Sequence, residues 1–350
     1  MNNTKKKSPI SWVPTAYFAM GLPFVVLNMV TVLMFKGLEV DDKLITFWTS
    51  LILLPWTLKP LWSPFLELFR TKKFFVIVTQ LITGVTFGLV AFALNLSHFF
   101  SISIALLAIV AFSGATHDIA CDGVYMSELS NEDQAKFIGW QGAFYNIAKI
   151  LATGGLVYLA GYFIELNADA GLLTANKRAW MIILLILSVT MILLGIYHLF
   201  ALPSTQSASS RKTLRSNKEV MKELGQVLMD FFRKTHITYY ICFIILYRFA
   251  EGFVMKIVPL FLKADREMGG LGLNEKEIGL YYGTYGAAAF VLGSLLAGYY
   301  IARRGLKKTI FSLCCIFNLP FMVYALFAYF QPESGWIISV SYTHLTLPTN

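Results

Sequence analysis

Phe18-Ala19-Met20-Gly21, in the first apolar stretch of the chain, returns 231 positions on as Phe249-Ala250-Glu251-Gly252, and the basic pair Lys72-Lys73 returns at the same offset as Arg303-Arg304. One register held over roughly fifty residues implies that a helix, a loop and a second helix were duplicated. Parallel repeats of several spans are the ground plan of many secondary transporters. Around these repeats the chain is 57% hydrophobic, 15% aromatic and only 14% charged. Soluble domains carry about 25% charged residues, so this is the composition of an integral membrane protein.

Crossing a hydrocarbon core takes about 20 predominantly apolar residues. Such runs are read at 13–35, 44–66, 74–95, 99–121, 137–164, 179–201, 237–262, 278–301 and 309–330, with a tenth begun at 336–341. The first run follows Lys5-Lys6-Lys7, but it is too long for a signal peptide and no small-residue cleavage site follows it. The four cysteines fall within spans and show neither a disulfide framework nor a metal-ligand spacing, so no metal and no cofactor are expected.

Alternating the spans from a cytoplasmic N-terminus puts eighteen Lys and Arg on the inner side against seven outside. That bias fixes the orientation as N-terminus in. The net charge of +9 thereby reports orientation and contact with anionic lipid rather than nucleic-acid binding. Between 203 and 236 the apolar pattern stops in a Ser-rich and then basic stretch, read as a cytoplasmic linker. Residues 1–202 are then a six-helix bundle and 237–340 a partial second bundle, one half rocking against the other around a midplane cavity. Residues 341–350 are too short and polar to complete a crossing and are expected to be a non-native tail on a truncated chain.

Ionisable groups at bilayer depth are costly and mark function by default. They are Lys59 in span two, His117, Asp118 and Asp122 in span four, Lys149 in span five, and Arg248, Glu251 and Lys256 in span seven. Asp118 and Asp122, four apart, share one helix face, where mutual repulsion and burial suit the pair to taking up a proton. Arg248 and Glu251, three apart, share a face of span seven and can exchange partners during a conformational switch, with Glu251 a further proton-coupling candidate. Lys59 and Lys256 lie nearer span ends, where a snorkelling side chain or a structural staple is the competing reading. Gln141, Tyr145 and Lys149 recur every four residues in span five as a polar stripe. Together with Arg248, His117 and Lys59 they form the substrate-binding set for a solute bearing sugars and carboxylates. Glu67 and Arg70 after span two, and Arg303 and Arg304 after span eight, end their spans in basic turns that read as gates.

Three motifs carry a resemblance: Tyr17-Phe18-Ala19-Met20-Gly21-Leu22-Pro23, Lys59-Pro60-Leu61-Trp62-Ser63-Pro64, and Ala115-Thr116-His117-Asp118-Ile119-Ala120-Cys121-Asp122. Together they resemble the AmpG muropeptide permease family of the major facilitator superfamily across spans one to nine. The acetyl-coenzyme A transporter family is similar in the span-four element. The resemblance implies a twelve-span, two-bundle carrier of which nine to ten helices are present. It also implies proton-coupled import of anhydro-muropeptides across the bacterial inner membrane, in cell-wall recycling, by a monomer. This chain departs from the pattern at His117, where many such chains carry Gln, at Glu67, where Asp is more usual, and in the missing last spans. Another anionic solute, such as a nucleotide or coenzyme A derivative, fits the same residues. A membrane enzyme acting on a lipid-linked substrate, with His117 and Asp118 as acid and base, and a transport-dead sensor are the readings from other classes.

Overall fold

The computed structural model describes residues 7–69, 71–203, 222, 225–226, 229–230, 232–286, 300, 303–304 and 306–332. Expectations for 204–221, for Arg70 and for 333–350, the tenth span and the tail included, lie outside the described residues. Within them the chain is a succession of long helices: α1 (Pro9–Gly37), α2 in two segments (Asp42–Leu51 and Leu54–Phe69), α3 (Lys72–Ala93), α4 (Phe99–Glu128), α5 (Asn131–Leu166) and α6 (Leu172–Ala201). After the linker come α7 (Ile237–Lys263), α8 (Glu275–Ile278, continuing through Gly279–Gly286) and α9 (Leu306–Phe330).

Polar caps set where these helices begin. Asp41 accepts from the Lys43 and Leu44 amides at α2, Thr71 from Phe74 at α3, and Ser130 from Asp133 at α5, while Asn274 and Glu277 form a reciprocal capping box at α8. Each cap satisfies backbone donors that a helix start otherwise leaves unpaired. The caps at α2, α3, α5 and α8 lie beyond the apolar runs, so those helices begin before the expected spans, α5 at Asn131; α4, without a side-chain cap, overshoots at its other end, to Glu128.

The structure adds three π-helical turns that the apolar pattern does not show: Val26–Val30 in α1, Leu151–Leu156 in α5 and Gly279–Gly286 in α8. They touch in sequence, the first against the second and the second against the third. A π turn disturbs the regular ladder of backbone hydrogen bonds. In each, a polar side chain donates to a nearby backbone carbonyl: Asn28 to Phe24 O at 2.9 Å, Thr153 to Lys149 O at 2.9 Å and Thr284 to Gly279 O at 3.1 Å.

The connections at 38–41, 94–98, 167–171 and 264–274 share one end of the molecule, here the distal end; the chain start and the 129–130 and 202–203 turns share the other, proximal end. α3 packs along α4 and α6, and α1 along α5. The half formed by α1–α6 meets α7 and α8 in the distal half. There α5 and α8 approach backbone to backbone: a Cβ on Gly154 would stand 2.5 Å from Thr284 Oγ1, one on Gly279 2.5 Å from Tyr158 N, and one on Gly283 would overlap Thr153 and Gly154. Small residues at a helix crossing permit this approach. Glu165 of α5 pairs with Lys276 of α8 above the seam, and Lys263 of α7 pairs with Glu275. Outward-facing Phe47, Phe92, Phe112, Leu193 and Phe200 are exposed, the face a bilayer covers.

Candidate functional site

The site forms where α1, α2 and α4 meet. Gly114 lies one turn before Asp118 on α4, and a Cβ there would sit 2.8 Å from the Trp56 ring, so only glycine leaves room for the indole against α4. So seated, Trp56 donates its Nε1 proton to Asp118 Oδ2 at 2.8 Å, and Lys59, one turn further along α2, donates to the same oxygen at 2.7 Å. Asp118 Oδ1 is buried without a hydrogen-bond partner among the described residues. The Lys59 side chain is 28% exposed against 11% for Asp118, so the pair is wet on its lysine side and dry behind its carboxylate. One turn on, Asp122 Oδ1 accepts from the Tyr17 hydroxyl at 2.8 Å. Tyr17 in turn packs edge-on against Tyr125.

α5 reaches this cluster through a second glycine. A Cβ on Gly21 would lie 3.0 Å from Ala148 Cβ and from Tyr145 O, so α1 and α5 pack closely, with Tyr145 at the crossing. Gln141, Tyr145 and Lys149 are half-buried along α5, and Gly139 and Gly142 in its proximal half face open space. Trp140 is exposed and stacks on Phe144.

The structure departs from expectation at His117, a member of the expected solute-contacting set. It is buried on a different face of α4 from Asp118, towards Gln80 of α3. Its Nε2 lies 2.9 Å from Gln80 Nε2; Gln80 Oε1 lies 2.8 Å from His198 Nδ1; and His198 Nε2 lies 2.9 Å from Thr15 Oγ1. Helices α4, α3, α6 and α1 are thus tied by one chain of side-chain hydrogen bonds, with Gln80 and His198 both fully buried. With the Gln80 amide nitrogen towards His117 and its oxygen towards His198, Nε2 of His117 accepts and Nδ1 of His198 donates, and His117 Nδ1 is left without a partner among the described residues. Sequence reasoning missed Tyr17, Trp56, Gln80, His198 and Thr15. His198 carried a usable signal, because it is ionisable and inside an apolar run by the same rule that picked out His117.

Lys256, for which snorkelling or a structural staple is the competing reading, does not snorkel: it is buried, at 7% exposure, against Thr49 of α2. Arg248 and Glu251 lie on α7 and Glu67 on α2, with side chains outside the described residues. Arg303 and Arg304 are exposed, and Arg304 sits over the Tyr300 ring at 5.4 Å.

Six helices long and apolar enough to cross a membrane, with the Lys59–Asp118 ion pair among them where α2 meets α4, define a multi-pass membrane protein. The chain belongs to the major facilitator superfamily, whose family model matches residues 15–345. It is 23% identical over 336 residues to the anhydromuropeptide permeases of Escherichia coli K12 and O157:H7, covering 94% of this chain and 60% of each relative. The chain therefore spans about 60% of the length of those curated relatives. Among solved structures, the D-xylose-proton symporter superposes with a TM-score of 0.70 at 13% identity, covering 97% of this chain and 78% of that one. The nucleoside transporter NupG gives 0.62 at 16% identity (99% and 79% covered). A bacterial homologue of the human lysosomal transporter Spinster, inward-facing and unoccupied, gives 0.61 at 13% (98% and 74%).

Proposed function

We propose that this chain is a proton-coupled importer of anhydro-muropeptide-like solutes, bearing sugars and carboxylates, across a bacterial inner membrane. The observation that carries the reading is the Lys59–Asp118 pair, with one carboxylate oxygen bonded twice and the other buried without a donor. A proton taken at Oδ1 leaves the two bonds to Oδ2 in place but cancels the charge that holds Lys59. Lys59 then turns to a carboxylate of the solute, and Tyr145, Gln141, Lys149 and Arg248 supply the remaining donors from α5 and α7. Asp122, held by Tyr17, and Glu251 complete the proton-coupling set. The N-terminus lies in the cytoplasm, so the distal end faces outward and the conformation is closed to the outside. Bundles at 1–202 and 237–340, joined by the 203–236 linker, rock about the site, with Glu67, Arg70, Arg303 and Arg304 at the inner gate. The protein works as a monomer in contact with anionic lipid. Similarity to permeases named for anhydromuropeptide, and a fold shared with a sugar-proton symporter, support the solute class and the coupling.

Uptake of labelled anhydromuropeptide into membrane vesicles carrying the full chain, with and without an imposed proton gradient, tests this. Gradient-driven accumulation is expected, and uptake indifferent to both the gradient and Asp118→Asn would overturn it.

A further inference from the structure

α2 is broken at Ile52-Leu53, just before Pro55. Proline has no amide proton and disfavours helical geometry in the residue preceding it, so the ladder cannot run through unbroken. The Leu53 amide turns back to Ser50 O at 3.2 Å, and the carbonyl of Thr49 is left without the amide four residues on. Thr49 is 1% exposed, and an acceptor so buried needs a donor from elsewhere. The donor comes from α7: Lys256 Nζ lies 3.3 Å from Thr49 O and 3.4 Å from Thr49 Oγ1. The Thr49 hydroxyl spends its own proton on Ile45 O at 2.7 Å, which leaves Oγ1 free to accept.

This is weak compensation for a buried ammonium. Lys36, Lys59, Lys263 and Lys276 each meet a carboxylate, whereas Lys256 meets none among the described residues, and its three donors share one residue at long distances. A cation taken out of water without a counter-charge is heavily penalised, so a purely structural lysine here would be a poor staple. Lys256 lies seven residues before Lys263, about 10 Å along the helix from the distal end, inside the half of the interface that is shut.

We propose that Lys256 is a second anion-binding position: it takes a carboxylate of the solute while the distal half is open, and passes to Thr49 as that half shuts. The inference rests on the importer reading above. The broken turn of α2 supplies a neutral acceptor that holds the lysine in the closed form yet yields to a carboxylate, since charge-assisted bonds are about twice as strong as neutral ones. Closure thereby frees the solute's carboxylate to move towards Lys59.

The test uses outward-oriented vesicles bearing the full chain and two probes: a labelled anhydromuropeptide with free carboxylates, and the same compound with them amidated. Wild-type protein is expected to take the free acid with a KM at least tenfold lower than the amide. Lys256→Met cuts that ratio at least threefold by raising KM for the free acid, Lys59 keeping its share of the preference, and leaves the amide unchanged, while Lys256→Arg keeps the wild-type ratio. The ratio of the two KM values does not depend on how much protein folds, and Lys256→Gln reports the same ratio should the Met variant fail to reach the membrane. Wild-type uptake with an unaltered ratio in Lys256→Met and Lys256→Gln overturns this inference alone; uptake of neither probe by wild type overturns the importer reading and this inference with it.

Discussion

His117 and Asp118 are neighbours on α4, yet they serve different parts of the molecule. Asp118 points towards α2, where its charge is met by a partly exposed Lys59 and by Trp56. His117 points into the bundle, where a neutral amide links it to a second buried imidazole. A helix turns 100° per residue, so adjacent positions can face a cavity and a core. For these two neighbours depth in the membrane does not separate the working group from the tying group; the partner does. Asp118 has a charged partner beside open space, and His117 a chain of neutral bonds.

The strongest way to break this contrast is to exchange the two roles by substitution. Asp118→Asn should cost about a thousandfold in gradient-driven uptake, because a residue acting only through its charge and proton has no substitute. His117→Gln, which can still bond to Gln80, should leave uptake within about threefold. Equal losses in vesicle assays of the two would end the distinction. Next in size, Gln80→Leu removes the partner of two buried imidazoles and should destabilise the fold by roughly 2–3 kcal/mol. Thermal unfolding in detergent would register it, and an unchanged midpoint would show that the chain of bonds across α4, α3, α6 and α1 ties nothing. Uptake per folded molecule should be close to normal. Gly114→Val is milder: the added methyls displace the Trp56 ring, and uptake should fall about tenfold with the unfolding midpoint little altered. Unshifted tryptophan fluorescence in that variant would argue against the seating of the indole. Smallest of all, Glu165→Gln removes an exposed partner of Lys276, which still lies 5.4 Å from the Tyr162 ring centroid. At most about 1 kcal/mol should be lost, and a large fall in the unfolding midpoint would show that the distal pair matters more than surface ion pairs do.

Much of the architecture was legible because hydrocarbon imposes its own length: nine apolar runs correspond to α1–α9, though for α8 the described residues stop at Gly286. Helix ends were less so, since Asp41, Thr71, Ser130 and Asn274 cap beyond the apolar stretch and nothing apolar marks them. The ionisable residues of the site were legible as outliers, and Asp118 with Lys59 was singled out on that ground. Their pairing was not, because it depends on Gly114 making room for Trp56 on another helix. The π turns left no apolar signature; only Asn28, Thr153 and Thr284, polar groups in apolar runs, hinted at backbone in need of donors. Lys256 shows the limit of reading depth from distance to a span end, for a break at Ile52-Leu53 in a different helix left the acceptor that meets it.

The bare crossing of α5 over α8 has a consequence for speed. Interdigitated leucines would have to unlock, rotamer by rotamer, before two surfaces could part. Where Gly154 meets Gly279 and Gly283 there are no such teeth, and the surfaces can separate or slide with little reorganisation. The same smoothness makes the crossing intolerant: a single methyl on Gly154, Gly279 or Gly283 would wedge the two helices apart.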